Sequence, residues 1–334
     1  VIGGTILAVT AETSLPADPT APAPSDAPLE VVRVGNGELD LAFLPGVGAR
    51  LISVRVGGVE LLWRNPEHLD ADLATVLPRS AWPAPDGTMG SWANLGGEKT
   101  WPAPQGWSGP DEWPGPPDPV IDSGSWAWSL AERPDATTVT FTSPDDPWTG
   151  LRVVRQVILP ASGTRFTLRA TFRNVVDRPV RWSVWEVCQV DTAFAAADQA
   201  DLWVGVDGDA PPVDLVSLPD PIDVGPPVAG RRRVAVTDVV AKVGFVDADG
   251  TFELVRPDGA RLAWRFAVDA AAAYPDGGCR AEIWMQYPTD GPVGAGLHPT
   301  ARLLELEALS PLTTLAPGEE VGLDVAWTVS GPTR

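Results

Sequence analysis

Arg165-Phe-Thr-Leu-Arg-Ala-Thr-Phe-Arg173 alternates polar and apolar residues without a break. A period of two sends successive side chains to opposite faces of an extended chain, so this run predicts an antiparallel strand with one face on a core. The same period spreads outward from it. Upstream it recurs at 38–43, 50–56, 138–142 and 151–159, and downstream at 180–190, 239–246, 252–255, 261–268, 280–287, 302–309 and 320–329. Helical periodicity persists nowhere for three turns, although 70–76 and 191–197 each permit a single turn. The fold class is all-β. Twelve such runs exceed one small sandwich and imply two large facing antiparallel sheets or two stacked domains. No composition break divides them, so 29–334 is expected to form a single domain. Val246-Asp-Ala-Asp-Gly-Thr251 and Val255-Arg-Pro-Asp-Gly-Ala260 carry Asp-Gly pairs, which predict hairpin turns. Asp247 and Asp249 lack the later ligands of a calcium loop, so a plain turn is expected there.

Composition narrows the function classes. The chain has 334 residues, 24 basic and 44 acidic, and a net charge of -20. That charge repels nucleic acid and anionic membrane surfaces, so neither is an expected partner. No apolar run of about 20 residues exists, so membrane insertion by a helix is not expected. Arg231-Arg-Arg233 is the one basic cluster, and beside a Val-rich strand it reads as a solvated edge. Cys188 and Cys279 are too few for a disulfide scaffold and are expected as small buried residues, with a bridge between them the alternative. Residues 1–28 open with an apolar run ending in small residues and continue as an Ala/Pro-rich tract. They resemble the back half of a secretory signal followed by a disordered linker, which points to a secreted or extracytoplasmic protein, with a cytoplasmic one as the alternative.

Eight of the 15 tryptophans fall between Trp82 and Trp148, in a Pro- and Gly-rich stretch of low hydrophobic periodicity. Its centre, Asn94-Leu-Gly-Gly-Glu-Lys-Thr-Trp-Pro-Ala-Pro-Gln-Gly-Trp107, is expected to be an ordered loop presenting Trp101, Trp107 and Trp113. An indole offers an apolar plate and one N–H donor, which suits a sugar ring with its alternating C–H and hydroxyl surfaces. Each ring could equally pack the loop onto the domain. Lys99 and Gln105 flank Trp101 and could read hydroxyls.

Most catalytic machinery is absent. His68 and His298 are the only histidines, and no nucleophile elbow, phosphate loop, dinucleotide fingerprint or metal-ligand spacing occurs. Neither metal nor cofactor is expected. Carboxylate chemistry stays open. Strand alternation groups Glu282, Trp284 and Gln286 on one face, Glu305 and Glu307 on another, and Trp185 with Gln189 opposite Trp182, Glu186 and Cys188. Either face of each strand could line a pocket. Two glutamates projected from one strand into a cleft would raise one pKa, as a general base requires. They could equally face water from an outer strand.

Five segments carry a resemblance. Leu44-Pro-Gly-Val-Gly-Ala-Arg-Leu-Ile-Ser-Val-Arg-Val-Gly-Gly-Val-Glu-Leu-Leu62 resembles the first hairpin of galactose mutarotase-like proteins, and 165–180 resembles their strand ending in Asn and a polar turn. The run Gly96-Gly-Glu-Lys-Thr-Trp-Pro-Ala-Pro-Gln105, with 113–119 and 304–318, is similar to a bacterial family of unassigned function that shares their fold. The resemblance covers about 30–330 and implies a β-super-sandwich with a sugar-sized cleft, a fold shared by aldose epimerases, polysaccharide lyases and non-catalytic domains. In the epimerases a glutamate on a late strand is the base and a mid-chain histidine the acid. Glu305 best matches the glutamate, with Glu307 the alternative, while the histidine's place falls near Trp185 or Glu186. The expected function is therefore binding of a neutral carbohydrate by Lys99, Trp101, Gln105, Trp107, Trp113, Trp185, Gln189, Glu282 and Trp284. The alternative is an aldose epimerase-like isomerase or a lyase-like enzyme with Glu305 as general base.

Overall fold

The computed structural model describes residues 27–83, 89–106, 112–192, 200–293 and 297–332. The N-terminal signal and linker expectation therefore lies outside the described residues up to 26, as do Trp107 and most of the turn expected at 191–197. Twenty strands follow in chain order among these residues. The first ten are β1 (Val32–Gly35), β2 (Leu39–Leu44), β3 (Arg50–Val56), β4 (Val59–Glu60), β5 (Glu98–Ala103), β6 (Ala127–Glu132), β7 (Ala136–Thr142), β8 (Leu151–Pro160), β9 (Arg165–Asn174) and β10 (Val180–Asp191). The rest are β11 (Asp201–Val206), β12 (Val213–Ser217), β13 (Arg231–Val234), β14 (Ala241–Phe245), β15 (Ala248–Val255), β16 (Arg261–Phe266), β17 (Ala281–Gln286), β18 (Leu303–Leu309), β19 (Thr313–Leu315) and β20 (Glu320–Ser330). Among the described residues there is no α-helix, only short 3-10 turns at Arg79–Ala81 and Met89–Ser91. Among these residues no helix is long and apolar enough to cross a membrane.

Two antiparallel sheets face each other. One has 11 strands in the order β1-β2-β3-β5-β10-β18-β17-β14-β12, with β4 on β3 and β19 on β10. The other has nine, β13-β11-β15-β16-β20-β9-β8-β7-β6. In β9 the even residues Phe166, Leu168, Ala170 and Phe172 are buried and the arginines face water, as the alternation predicts. Their partners across the core include Val184, Ile283 and Leu306. Cys188 and Cys279 are both free and buried.

Two expectations are corrected. The Asp249-Gly250 pair does not turn a hairpin, because the chain crosses from the 11-stranded to the nine-stranded sheet at Val246-Asp247. Gly250 instead lies inside β15 with φ 87°, where any Cβ would collide with the Phe266 carbonyl. Nearby, the β11–β15 register shifts between Val204 and Val206, so the glycine serves a bulge. The second hairpin, between β15 and β16, forms as expected. The centre of the aromatic loop is in fact strand β5, hydrogen-bonded along Ser183↔Ala103 to Cys188↔Glu98 on β10. Pro102 is tolerated because β3 pairs with β5 only at Leu51↔Glu98, so beyond that point the proline's missing donor faces no neighbouring strand.

Candidate functional site

Both faces of the middle of the 11-stranded sheet are buried, one on the core and one under the loops around 63–83, 89–96 and 297–300. Directly opposed residues in antiparallel strands share a face, and the registers carry one row from β14 to β10: Lys242, Trp284, Glu305 and Gln189. The adjacent row holds Glu282, Glu307, Val187 and Lys99, and the next pairs Trp185 with Trp101. Eight residues predicted from four separate sequence segments thus project from one face. Glu186 and Cys188 belong to the opposite, core face, which resolves the alternation on β10 in favour of Trp185 and Gln189.

A cavity of about 570 Å³ opens over these rows. Its walls are the indoles of Trp82, Trp92, Trp101, Trp185 and Trp284, with Gln105, Gln189, Gln286, Lys242, Glu305 and Glu307 between them. Glu305 Oε1 accepts from Gln189 Nε2 at 2.6 Å and from Lys99 Nζ at 3.3 Å. Glu307 Oε2 accepts from Trp185 Nε1 at 2.7 Å and lies 3.0 Å from Lys242 Nζ, which also sits 2.6 Å from Glu282 Oε2. Beneath the Trp92 and Trp101 rings, the buried Asp122 carboxylate accepts from both indole N–H groups, at 2.9 and 3.2 Å, and pairs with Arg50.

The buried charges balance. Arg50 faces Asp122, Lys99 faces Glu305, and Lys242 faces Glu282 and Glu307. Burial, assisted by the Glu307 charge and opposed by Lys242, pushes Glu282 up to about 8, so at neutral pH this carboxyl keeps its proton. Burial likewise raises Glu307 and lowers Lys99. It pulls the Lys242 ammonium down too, but Glu282 and Glu307 more than reverse the effect. Three cations then meet three anions. Against that neutral background, Gln189 Oε1, Trp82 Nε1 and His68 Nδ1 are buried around the cavity with no hydrogen-bond partner among the described residues. Unpaired buried polar atoms cost free energy that a polar ligand would recover.

Three of the sequence-predicted residues do not line this cavity. Trp113 is fully buried: its N–H donates to the Pro104 carbonyl and its indole lies 5.2 Å below Trp101, donating to Asp118 at 3.1 Å. It supports a plate instead of being one. Lys99 and Glu282 are buried behind the surface and hold Glu305 and Lys242. Lys99 Nζ also sits 4.6 Å from the centre of the Trp101 ring, and Lys242 Nζ 4.5 Å from that of Trp185, so each of these indoles already holds a cation. Trp284, half-buried with its N–H on Gln286 at 3.1 Å, is the more open plate.

Sequence reasoning missed Lys242, Trp82, Trp92, His68 and His298 as wall residues. A single lysine inside Ala241-Lys-Val-Gly-Phe245 was the available signal for the first. Both histidines of the chain reach the same cavity, His68 against Trp82 at 5.2 Å between ring centres. A larger, more open hollow of about 820 Å³ lies on the nine-stranded sheet around Trp203 and Ala326, but its lining includes no lysine, histidine or side-chain amide.

No protein-family model matches the chain, and no curated protein matches its sequence. Solved structures do match in fold. A galactose mutarotase-like protein from Lactobacillus casei superimposes with a TM-score of 0.53 at 13% identity, over 90% of this chain and 100% of that one. A candidate aldose 1-epimerase from Escherichia coli K12 gives 0.52 at 14%, over 90% and 99%. A TPR-domain containing protein from Parabacteroides distasonis gives 0.57 at 14%, over 92% of this chain but 48% of that chain, so the present chain spans about half of it. The architecture is that of the galactose mutarotase-like β-sandwiches.

Proposed function

We propose that the cavity over β10, β18 and β17 binds a neutral saccharide and that the protein is a carbohydrate-binding protein. The observation that carries this reading is one cavity walled by five indoles, with its buried ions paired off and polar atoms of Gln189, Trp82 and His68 left without a partner among the described residues. Apolar plates suit the C–H faces of a sugar, and free donors and acceptors suit its hydroxyls. The mutarotase-like fold is consistent with a sugar ligand, but fold does not assign function. The finer resemblance of 96–105, 113–119 and 304–318 to a single family rests on those residues alone.

A second reading, a sugar-active enzyme of the aldose epimerase type, is favoured by one arrangement. Glu305 is partly open to the cavity and oriented by Gln189 and Lys99, as a general base would be, and both histidines line the same walls. Trp185, near the expected place of the acid, donates to Glu307 and offers no proton for transfer.

Intrinsic fluorescence titrated with a panel of neutral sugars tests binding, and exchange NMR on each sugar that binds tests turnover. The binding reading expects an emission change without faster anomer interconversion. Accelerated interconversion that disappears in Glu305→Gln would establish the enzyme instead. No emission change with any sugar would remove both.

A further inference from the structure

Strand β6 is the edge of the nine-stranded sheet: it pairs with β7 from Ala127↔Thr142 to Glu132↔Thr137, without a bulge, and with no other strand among the described residues. Every one of its six residues is exposed. Proteins guard such edges with charge, proline, bulges or short strands. The other three sheet edges follow that rule. β13 presents Arg231-Arg-Arg233 and is covered by bridges from Val224 and Val228, β12 is broken by a register shift, and β1 is four residues long, with Arg33 and Gly35. The sequence Ala127-Trp-Ser-Leu-Ala-Glu132 has no lysine, no proline and no charge before its last residue.

Its apolar side chains are the uncovered end of the core. Trp128 lies opposite Phe141 and Leu130 opposite Val139; those two partners are 1% and 0% exposed, whereas Trp128 and Leu130 are 40% and 45% exposed. Trp128 is held in place, donating its indole N–H to Glu30 at 3.2 Å. We propose that this edge is covered by a second copy of the chain, β6 adding antiparallel to β6 about a two-fold axis at Ser129. The strand is self-complementary in that register. With Ser129 facing its own mate, Trp128 falls opposite the second copy's Leu130 and Leu130 opposite its Trp128, while Ala127 meets Ala131 on the other face. Centring the axis on Leu130 would set Trp128 against Glu132. The register at Ser129 therefore closes an apolar cluster of four side chains, and it joins two nine-stranded sheets into one without a free edge at the seam.

Sedimentation velocity of the full chain across micromolar concentrations, with amide hydrogen exchange of 127–132 at the same concentrations, tests this. The expected result is a dimer whose β6 amides gain protection as it forms. Leu130→Lys should weaken association by about 100-fold or more, because the change is made twice in a symmetric seam, and Val228→Lys, at an exposed site elsewhere, should not. A monomer at all concentrations would overturn the proposal, as would a dimer unaffected by Leu130→Lys. A monomer with β6 amides already protected would assign the cover to the chain's own remaining residues and overturn it equally.

Discussion

Glu305 and Glu307 sit two residues apart on one strand, yet their neighbours give them different work. Glu305 is tied at one oxygen to Gln189 and Lys99 and is partly open, whereas Glu307 is buried and tied to Trp185 and Lys242. Trp185→Phe keeps an aromatic ring beside Lys242 but removes the N–H on Glu307, and losing one donor to a buried carboxylate should cost about 1–3 kcal/mol of stability in urea unfolding. Trp284→Ala removes the open plate without touching an ion pair. If a saccharide stacks there, its dissociation constant should rise about 10- to 100-fold by fluorescence titration, with the unfolding midpoint little changed. Trp185, Gln189, Glu305 and Trp284 were legible in the sequence because alternation alone fixes which strand residues share a face. Lys242, Trp82 and His68 were not, because they join the site only through strand order and loop placement. Trp113 misled because composition reports how many indoles a segment has, not which way they point.

Strand β5 marks the limit of legibility at the level of elements. All twelve strands read from period-two patterns exist, but β5 has six buried residues of mixed chemistry and no pattern, since one face serves the core and the other the cavity. Its core face is itself polar. Glu98 and Thr100 meet Arg155 of β8 and Glu186 of β10, an ionic cluster bridging the two sheets: Arg155 pairs with Glu98 and donates to the Ala49 carbonyl at 2.6 Å, while Thr100 donates to Glu186 at 2.9 Å. Burial, with the Glu98 charge, lifts Glu186 well above the usual carboxylate range. Arg155→Met strands Glu98 without its cation and should destabilise the protein by about 3–5 kcal/mol in urea unfolding. Adding Glu98→Gln should recover part of that loss, because the pair's penalty is mostly that of the uncompensated charge left behind.

Across the whole molecule, buried carboxylates and net charge bias stability in the same direction. Burial pushes Glu282 up to about 8 and Asp118 up to about 6, and raises Glu186 and Glu307 as well. A carboxyl with a raised folded pKa binds its proton more tightly in the native state. Its contribution is therefore present at low pH and lost as pH rises from the unfolded value, about 4.5 for glutamate, toward the folded one. Lys242, held above its ordinary value, gives stability that disappears only above about 10.5 and adds no slope in this range. His68, lowered by burial, contributes the opposite slope below about 6.5, one group against four. The net charge of -20 adds self-repulsion that grows as the remaining carboxylates ionise. Unfolding free energy should thus fall by a few kcal/mol between about pH 5.5 and 8.5 in urea titrations. Glu282→Gln should flatten the curve between pH 6 and 8, because an amide fills the same place without titrating. Raising ionic strength at pH 8 should restore the part due to surface repulsion and leave the Glu282 part, since salt screens exposed charges and not buried ones. A stability that rises through this interval in the wild-type chain would mean that Glu282 is ionised in the native fold, and the charge balance of the cavity would have to be redrawn with an excess anion.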